Sequence, residues 1–250
     1  MTSGKQVRMG RLFKPDGKTL IAALDHGIAG LSPLAALEKP EKLIGALSQA
    51  GVDAFILTPG LAEAFASSIH GKGMVLRVDC GPTALTGNWQ ESHPAVAVED
   101  AMRLGADAVV AMGIVGTAGE SRSLQALAQL ARRCHEWGIP LMAEMLPGGF
   151  AASECTAEQI KIAARLGAEL GADIIKIRYS GSGESFRAVT EGCFRPVVVL
   201  GGSAQDPSQL AAATRDAISA GARGAAVGRN IWKASDPTKV ASLLAEAVHG

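Results

Sequence analysis

At 250 residues, with 48% hydrophobic and 19% charged side chains, the chain has the make-up of a folded protein with a large core rather than a disordered one. Lysine plus arginine equals aspartate plus glutamate, 24 against 24, and no block of like charge occurs, so binding of nucleic acid or a membrane surface through bulk charge is excluded. The longest apolar runs are strand-sized, far short of a membrane span, and the polar, basic stretch Met1–Arg11 holds no secretory apolar segment.

In chain order, near-continuous apolar runs lie at Leu20–Leu24, Ala54–Thr58, Val75–Asp79, Ala108–Met112, Leu141–Met145, Ile174–Tyr179, Val197–Leu200 and Gly224–Val227. Such runs suit parallel strands covered on both faces. Helical patterns separate them, among them Ala95–Leu104, Leu124–Trp137, Ala157–Leu170 and Pro207–Ala220. A glycine precedes many runs, at Gly51, Gly105, Gly138, Gly171 and Gly221, where it predicts a left-handed helix end. Eight alternating units predict one (β/α)8 barrel spanning residues 1–250, a fold that takes about 250 residues; an open doubly wound sheet is the rival. No linker or low-complexity segment divides the chain.

Four cysteines at 80, 134, 155 and 193 form no C-x-x-C and read as reduced thiols of a cytoplasmic protein. Five scattered histidines give no metal-ligand pair, so no metal or cofactor is expected. Trp89, Trp137 and Trp232 form no stacking array for nucleic acid.

Chemistry in such a barrel belongs at the C-terminal strand ends. The most informative residue is Lys176, a lysine inside the apolar run Ile174–Tyr179. A lysine desolvated there, or set beside a cation such as Arg178 on the same strand face, becomes a nucleophilic amine; a snorkelling or ion-paired lysine is the plain alternative. Asp25 ends the first run and either pairs with Lys176 as a proton carrier or caps a turn. His26 behind it reads as a turn histidine or a second carrier. Glu144, alone in the fifth run, needs a cation, Lys176 or Arg178. At the seventh and eighth strand ends, Gly201-Gly202-Ser203 and Gly228-Arg229-Asn230 predict a phosphate site made of backbone N–H groups and a helix start. Arg178 and Arg77 are candidates for holding a carboxylate or sulfonate of the substrate.

Ala23-Leu24-Asp25-His26-Gly27, Met142-Ala143-Glu144-Met145, Asp173-Ile174-Ile175-Lys176, Leu200-Gly201-Gly202 and Ala226-Val227-Gly228-Arg229-Asn230-Ile231-Trp232 together resemble the archaeal-type class I fructose-bisphosphate aldolases, within the superfamily that includes deoxyribose-phosphate aldolase. The resemblance implies a Schiff base at Lys176, proton transfer by Asp25, and a phosphate held by the Gly-Gly and Gly-Arg-Asn segments. It also implies a homo-oligomer. Two departures matter: the tyrosine expected after the fifth strand is Leu146, and the lysine expected after Gly202 is missing from Ser203-Ala204-Gln205. Leucine carries no proton, so the resemblance implies a lyase acting on a phosphorylated keto sugar or related ketone other than fructose 1,6-bisphosphate, with Glu144, His26 or Arg178 replacing the tyrosine and Glu144 favoured. A thiolase or transferase of the same superfamily, a flavin-dependent barrel, and a non-catalytic barrel that binds a phosphorylated metabolite are the competing readings.

Overall fold

The computed structural model describes residues 2–28, 35–69, 71–81, 92–149, 152, 155–202 and 205–250. Eight parallel strands close into a barrel: β1 (Thr19–Ala23), β2 (Ala54–Leu57), β3 (Gly73–Arg77), β4 (Ala108–Val115), β5 (Leu141–Pro147), β6 (Ile174–Arg178), β7 (Val197–Leu200) and β8 (Gly224–Val227). Each pairs with its sequence neighbours, and β1 pairs with β8 from Thr19 opposite Gly224 to Ala22 opposite Val227. The open doubly wound sheet is thereby ruled out. The five glycines expected at helix ends all have positive φ. Gly138, which caps the 18-residue helix α5 (Glu120–Trp137), has φ 64° and returns its N–H to the last turn.

Side-chain alternation sorts each strand into two faces. On β6, Ile175 and Ile177 join the core beneath the helices, while Ile174 points into the barrel with Ile21, Val110, Met142 and Val198. Strands β4 and β5 run longer than the apolar runs suggest, pairing from Val109 opposite Leu141 to Val115 opposite Pro147. Gly113, Ile114 and Val115 are therefore strand rather than loop, and so is Leu146.

The polar N-terminal segment forms helix α1 (Ser3–Leu12), which closes the barrel floor. Leu12 is fully buried against the inward-facing residues, with Met9 and Phe13 beside it. Its cations Lys5 and Arg11, with Lys14 just beyond its end, meet a repeated device. Asp53, Asp107 and Asp173, each two residues after a helix-ending glycine, accept the backbone N–H of Leu20 (2.7 Å), Met74 (3.1 Å) and Leu141 (3.0 Å). The same carboxylates take Lys14 at 3.5 Å, Arg11 at 2.9 Å and Lys5 at 2.6 Å. One aspartate thus ties a strand start to the floor helix region three times around the ring.

Candidate active site

Lys176 lies on the inner face of β6, directly opposite Glu144 of β5, and only 4% of it is exposed. An ammonium in that position is costly unless a carboxylate meets it. Glu144 does so, with Oε1 2.7 Å from Nζ. Its other oxygen accepts a short hydrogen bond from Nη2 of Arg77, which rises from the inner face of β3 and is 1% exposed.

Arg77 is the hub of the site. Its Nε donates to Asp25 Oδ2 at 2.7 Å and its Nη1 to Asp79 Oδ1 at 3.0 Å. Asp79 is itself fixed by Ser92 and by the backbone N–H of Met112. A guanidinium whose three nitrogens each serve a buried carboxylate has no fork left for a substrate anion, which corrects the expectation that Arg77 receives one. Asp25 sits just past β1 in a 3-10 turn, Asp25–Gly27, and meets Arg77 rather than Lys176. Burial pushes the Asp25 carboxyl up, but Arg77, with His26 and Lys176, overrides it and holds it well below the usual carboxylate range. Burial likewise raises Glu144, and Lys176 and Arg77 bring it to a net depression. Both groups are carboxylates at neutral pH.

His26 stands at the mouth with its ring edge-on to Trp232, centroids 5.3 Å apart. Nδ1 is 3.6 Å from Asp25 Oδ1, too far for a hydrogen bond, and has no partner among the described residues. Burial lowers the His26 pKa against the pull of Asp25, so the ring is neutral near pH 7. Gly228 makes room for it: a Cβ there would lie 2.2 Å from His26 Cε1.

Lys176, Glu144 and His26 share one cavity of about 70 Å³ with Gly201, Gly228 and Arg229. Its rim is braced across β7 and β8. Asn230 Nδ2 donates to the Gly201 carbonyl at 2.8 Å, Asn230 Oδ1 accepts the Gln205 N–H at 2.9 Å, and Arg229 reaches the Gly202 carbonyl at 3.4 Å. Gly201 packs so near β8 that a Cβ would meet Val227 at 2.8 Å. Ser203 lies outside the described residues. Arg178, expected beside Lys176, instead bonds the Ala152 carbonyl at 2.9 Å and borders a neighbouring hollow with Tyr179 and Thr214, which shares Leu200, Gly201 and Gly202 with the Lys176 cavity. The cation that shares a carboxylate with Lys176 is Arg77. Leu146 points into the mouth with Met112 and Ile114, an apolar patch one step above Glu144.

The model of the DeoC/LacD family aldolases matches residues 19–234, the whole ring of strands. The chain belongs to that family. Among its relatives, the 2-amino-3,7-dideoxy-D-threo-hept-6-ulosonate synthase 1 of Archaeoglobus fulgidus is 35% identical over 99% of this chain and 92% of its own. A Schiff-base-forming fructose-1,6-bisphosphate aldolase of solved structure is 31% identical, with TM-score 0.88 over 98% of this chain and all of that one. An archaeal fructose-1,6-bisphosphate aldolase, solved with its catalytic lysine bound to the carbinolamine intermediate, is 30% identical with TM-score 0.87 over the same shares. The protein is a class I aldolase, and the flavin-dependent and non-catalytic readings fall away.

Lys176 and Glu144 stand out in the sequence because each interrupts an apolar run, and the structure brings the two together. The sequence carries no sign that Arg77 serves Asp25, Asp79 and Glu144 in particular. The available signal was Arg77 itself, a charge on the inward register of a buried strand, to which a carboxylate from a distant segment had to come.

Proposed function

We propose that Lys176 is the amine that forms the Schiff base, and that the substrate is a ketone carrying a phosphate. The observation that carries this is the shared cavity: a buried lysine amine opens into the same small space as the Gly201, Gly228 and Arg229 rim. Lys176 Nζ attacks the ketone carbon, and the carbonyl oxygen takes a proton to give a carbinolamine. Loss of water leaves a protonated imine, the electron sink for breaking or making the adjacent C–C bond. Glu144, a carboxylate 2.7 Å from Nζ, takes up and returns the proton in these steps. Asp25 fixes Arg77, which holds the Glu144 carboxylate in place without itself giving up a proton, and His26, neutral at the rim, serves as a second carrier. Glu144 stands in for the tyrosine whose place Leu146 holds, one inward step below it on β5.

The rim between β7 and β8 is where this fold commonly holds phosphate, and a grip on that remote group orients the carbon that reacts. The keto sugar named in the Archaeoglobus relative supports a keto-sugar product here, assembled from a phosphorylated ketone and an aldehyde. The free state of all four cysteines supports a reducing, cytoplasmic setting. Borohydride reduction with dihydroxyacetone phosphate, followed by peptide mass mapping, tests the reading. A stable adduct on Lys176, absent in Lys176→Ala, is the expected result. An adduct on another lysine, or none with a panel of phosphorylated ketones, overturns it.

A further inference from the structure

The face of the barrel opposite the active site holds a hollow of about 380 Å³ that the aldol chemistry does not use. It lies where α1, α5, the end of helix α6 (Ala157–Glu169) and the starts of β6 and β7 converge. Four of the side chains lining it are basic, Lys5, Arg132, His135 and Arg195, against the single acid Asp173. Asp173 is committed to Lys5 at 2.6 Å, and Arg132 is answered in part by Glu136 at 3.2 Å. Arg195 has no acid. Its Nε is buried without an acceptor among the described residues, and its guanidinium is steadied over the Phe194 ring at 5.5 Å. The Nε itself is out of reach of the hollow, but the charge of the Arg195 guanidinium that lines it stands without a carboxylate among the described residues, and an anion in the hollow balances it.

We infer that this hollow is a second binding site, for the phosphate group of a small phosphorylated metabolite. Arg195 and Arg132 supply charged N–H donors from two elements, and His135 adds a ring nitrogen from one turn of α5 beyond Arg132. Arginine and histidine donors lining one hollow suit a tetrahedral oxyanion. The volume exceeds that of a lone phosphate, and Ala128, Ala131 and Leu170 give an apolar bed for an organic remainder. Helix C-termini usually repel anions, yet here the last carbonyls are already capped. Gly138 and Ile139 N–H serve His135 and Cys134 at the end of α5, and Gly171 and Ala172 N–H serve Ala168 and Gly167 at the end of α6. Strands β6 and β7 start at this hollow and run toward the active-site cavity, which Lys176 of β6 and Gly201 just past β7 line.

The test is calorimetric titration of glycerol 3-phosphate and, separately, inorganic phosphate into the full chain carrying Arg229→Met, which weakens the grip at the mouth. Saturable one-site binding of the ester is expected. It falls about tenfold or more in Arg195→Met and in His135→Gln, while borohydride trapping at Lys176 in the otherwise unaltered protein stays as before. Tighter binding of the ester than of phosphate supports a metabolite, and equal binding supports phosphate itself as occupant. Heat that does not saturate, or binding that neither substitution weakens, overturns the site. His135 is exposed on α5, so its variant remains informative if loss of Arg195 disturbs folding.

Discussion

Arg77 and Asp25, 52 positions apart in sequence, meet at 2.7 Å inside the barrel, and neither has meaning without the other. The same guanidinium also neutralises Asp79 and Glu144, so one cation offsets three buried carboxylates and shares the last with Lys176. Replacing Arg77 by Met strands those carboxylates. A loss of about 3–5 kcal/mol is expected in urea unfolding, the scale for breaking a buried ion pair from one side. Arg77→Lys restores little, because the three N–H groups of an ammonium leave one nitrogen and cannot reach the separate positions that Nε, Nη1 and Nη2 serve. A loss below about 1 kcal/mol in the Met variant would mean that the carboxylates find protons or other partners at no cost.

Replacing the carboxylate beside the amine tests the proton transfer, with kcat read on folded protein because Lys176 and Arg77 also lose a counter-charge and the fold weakens by about 3–5 kcal/mol. Glu144→Gln keeps the shape and the contact with Lys176 but removes the base, and kcat is expected to fall about 10²–10⁴-fold. KM for the phosphorylated ketone changes far less, since the rim of Gly201, Gly228 and Arg229 is untouched. An unchanged kcat would transfer the proton work to Asp25 or His26.

Acid should weaken the fold in two stages. His26 is held below its ordinary value, so the unfolded chain takes up that proton first. Stability therefore drops as pH falls below about 6.5, by at most about 1.4 kcal/mol per pH unit until the folded ring also protonates. Asp25 and Glu144 are depressed carboxylates, whose contribution is complete above the ordinary carboxylate range and lost as pH falls through their lowered values. That second, steeper loss belongs below about pH 4. Urea midpoints measured across this range check both stages, and His26→Gln should erase only the first.

The ring of strands was legible because parallel strands buried on both faces leave unbroken apolar runs, and because glycines with positive φ end the helices between them. Lys176 and Glu144 were legible for the same reason, each a charge where the run demands none. Arg77 was not: its role depends on carboxylates brought from β1, β5 and the segment after β3, and contacts across the ring leave no spacing in the sequence. Leu146 read as a loop residue because the pairing of β4 with β5 extends past the apolar run, a matter of register rather than composition. Helix α1 escaped notice because most of its surface is polar and only Leu12 and its neighbours enter the floor.

The floor helix offers a cleaner test of the aspartate repeat. Asp173 serves both Lys5 and the Leu141 N–H, and both it and Lys5 are nearly fully buried. Asp173→Asn keeps a hydrogen-bond acceptor but leaves the Lys5 ammonium without a counter-charge, so a loss of about 3–5 kcal/mol is expected. Lys5→Met in the same chain should recover much of it, because the uncompensated charge is then gone. If the double variant is as unstable as the sum of the two single ones, the pair is not coupled and the floor is held by Leu12 instead.

Leu146 ties the substrate question to one side chain. It is 6% exposed, points inward with Met112 and Ile114, and stands one register step above Glu144 on β5. A tyrosine there points a hydroxyl into the mouth, where the family resemblance places the acid that drives C–C cleavage. Leu146→Tyr should cost about 1–3 kcal/mol of stability through overpacking against Ile114. It should also confer, or raise about tenfold or more, cleavage of fructose 1,6-bisphosphate, since a positioned proton carrier contributes about 10²–10⁴-fold where one is lacking. A coupled assay for the released triose phosphates measures it. If cleavage stays undetectable while borohydride still traps the imine at Lys176, the apolar patch of Met112, Ile114 and Leu146 selects the aldehyde by shape, and a missing proton carrier is not what sets this enzyme's substrate.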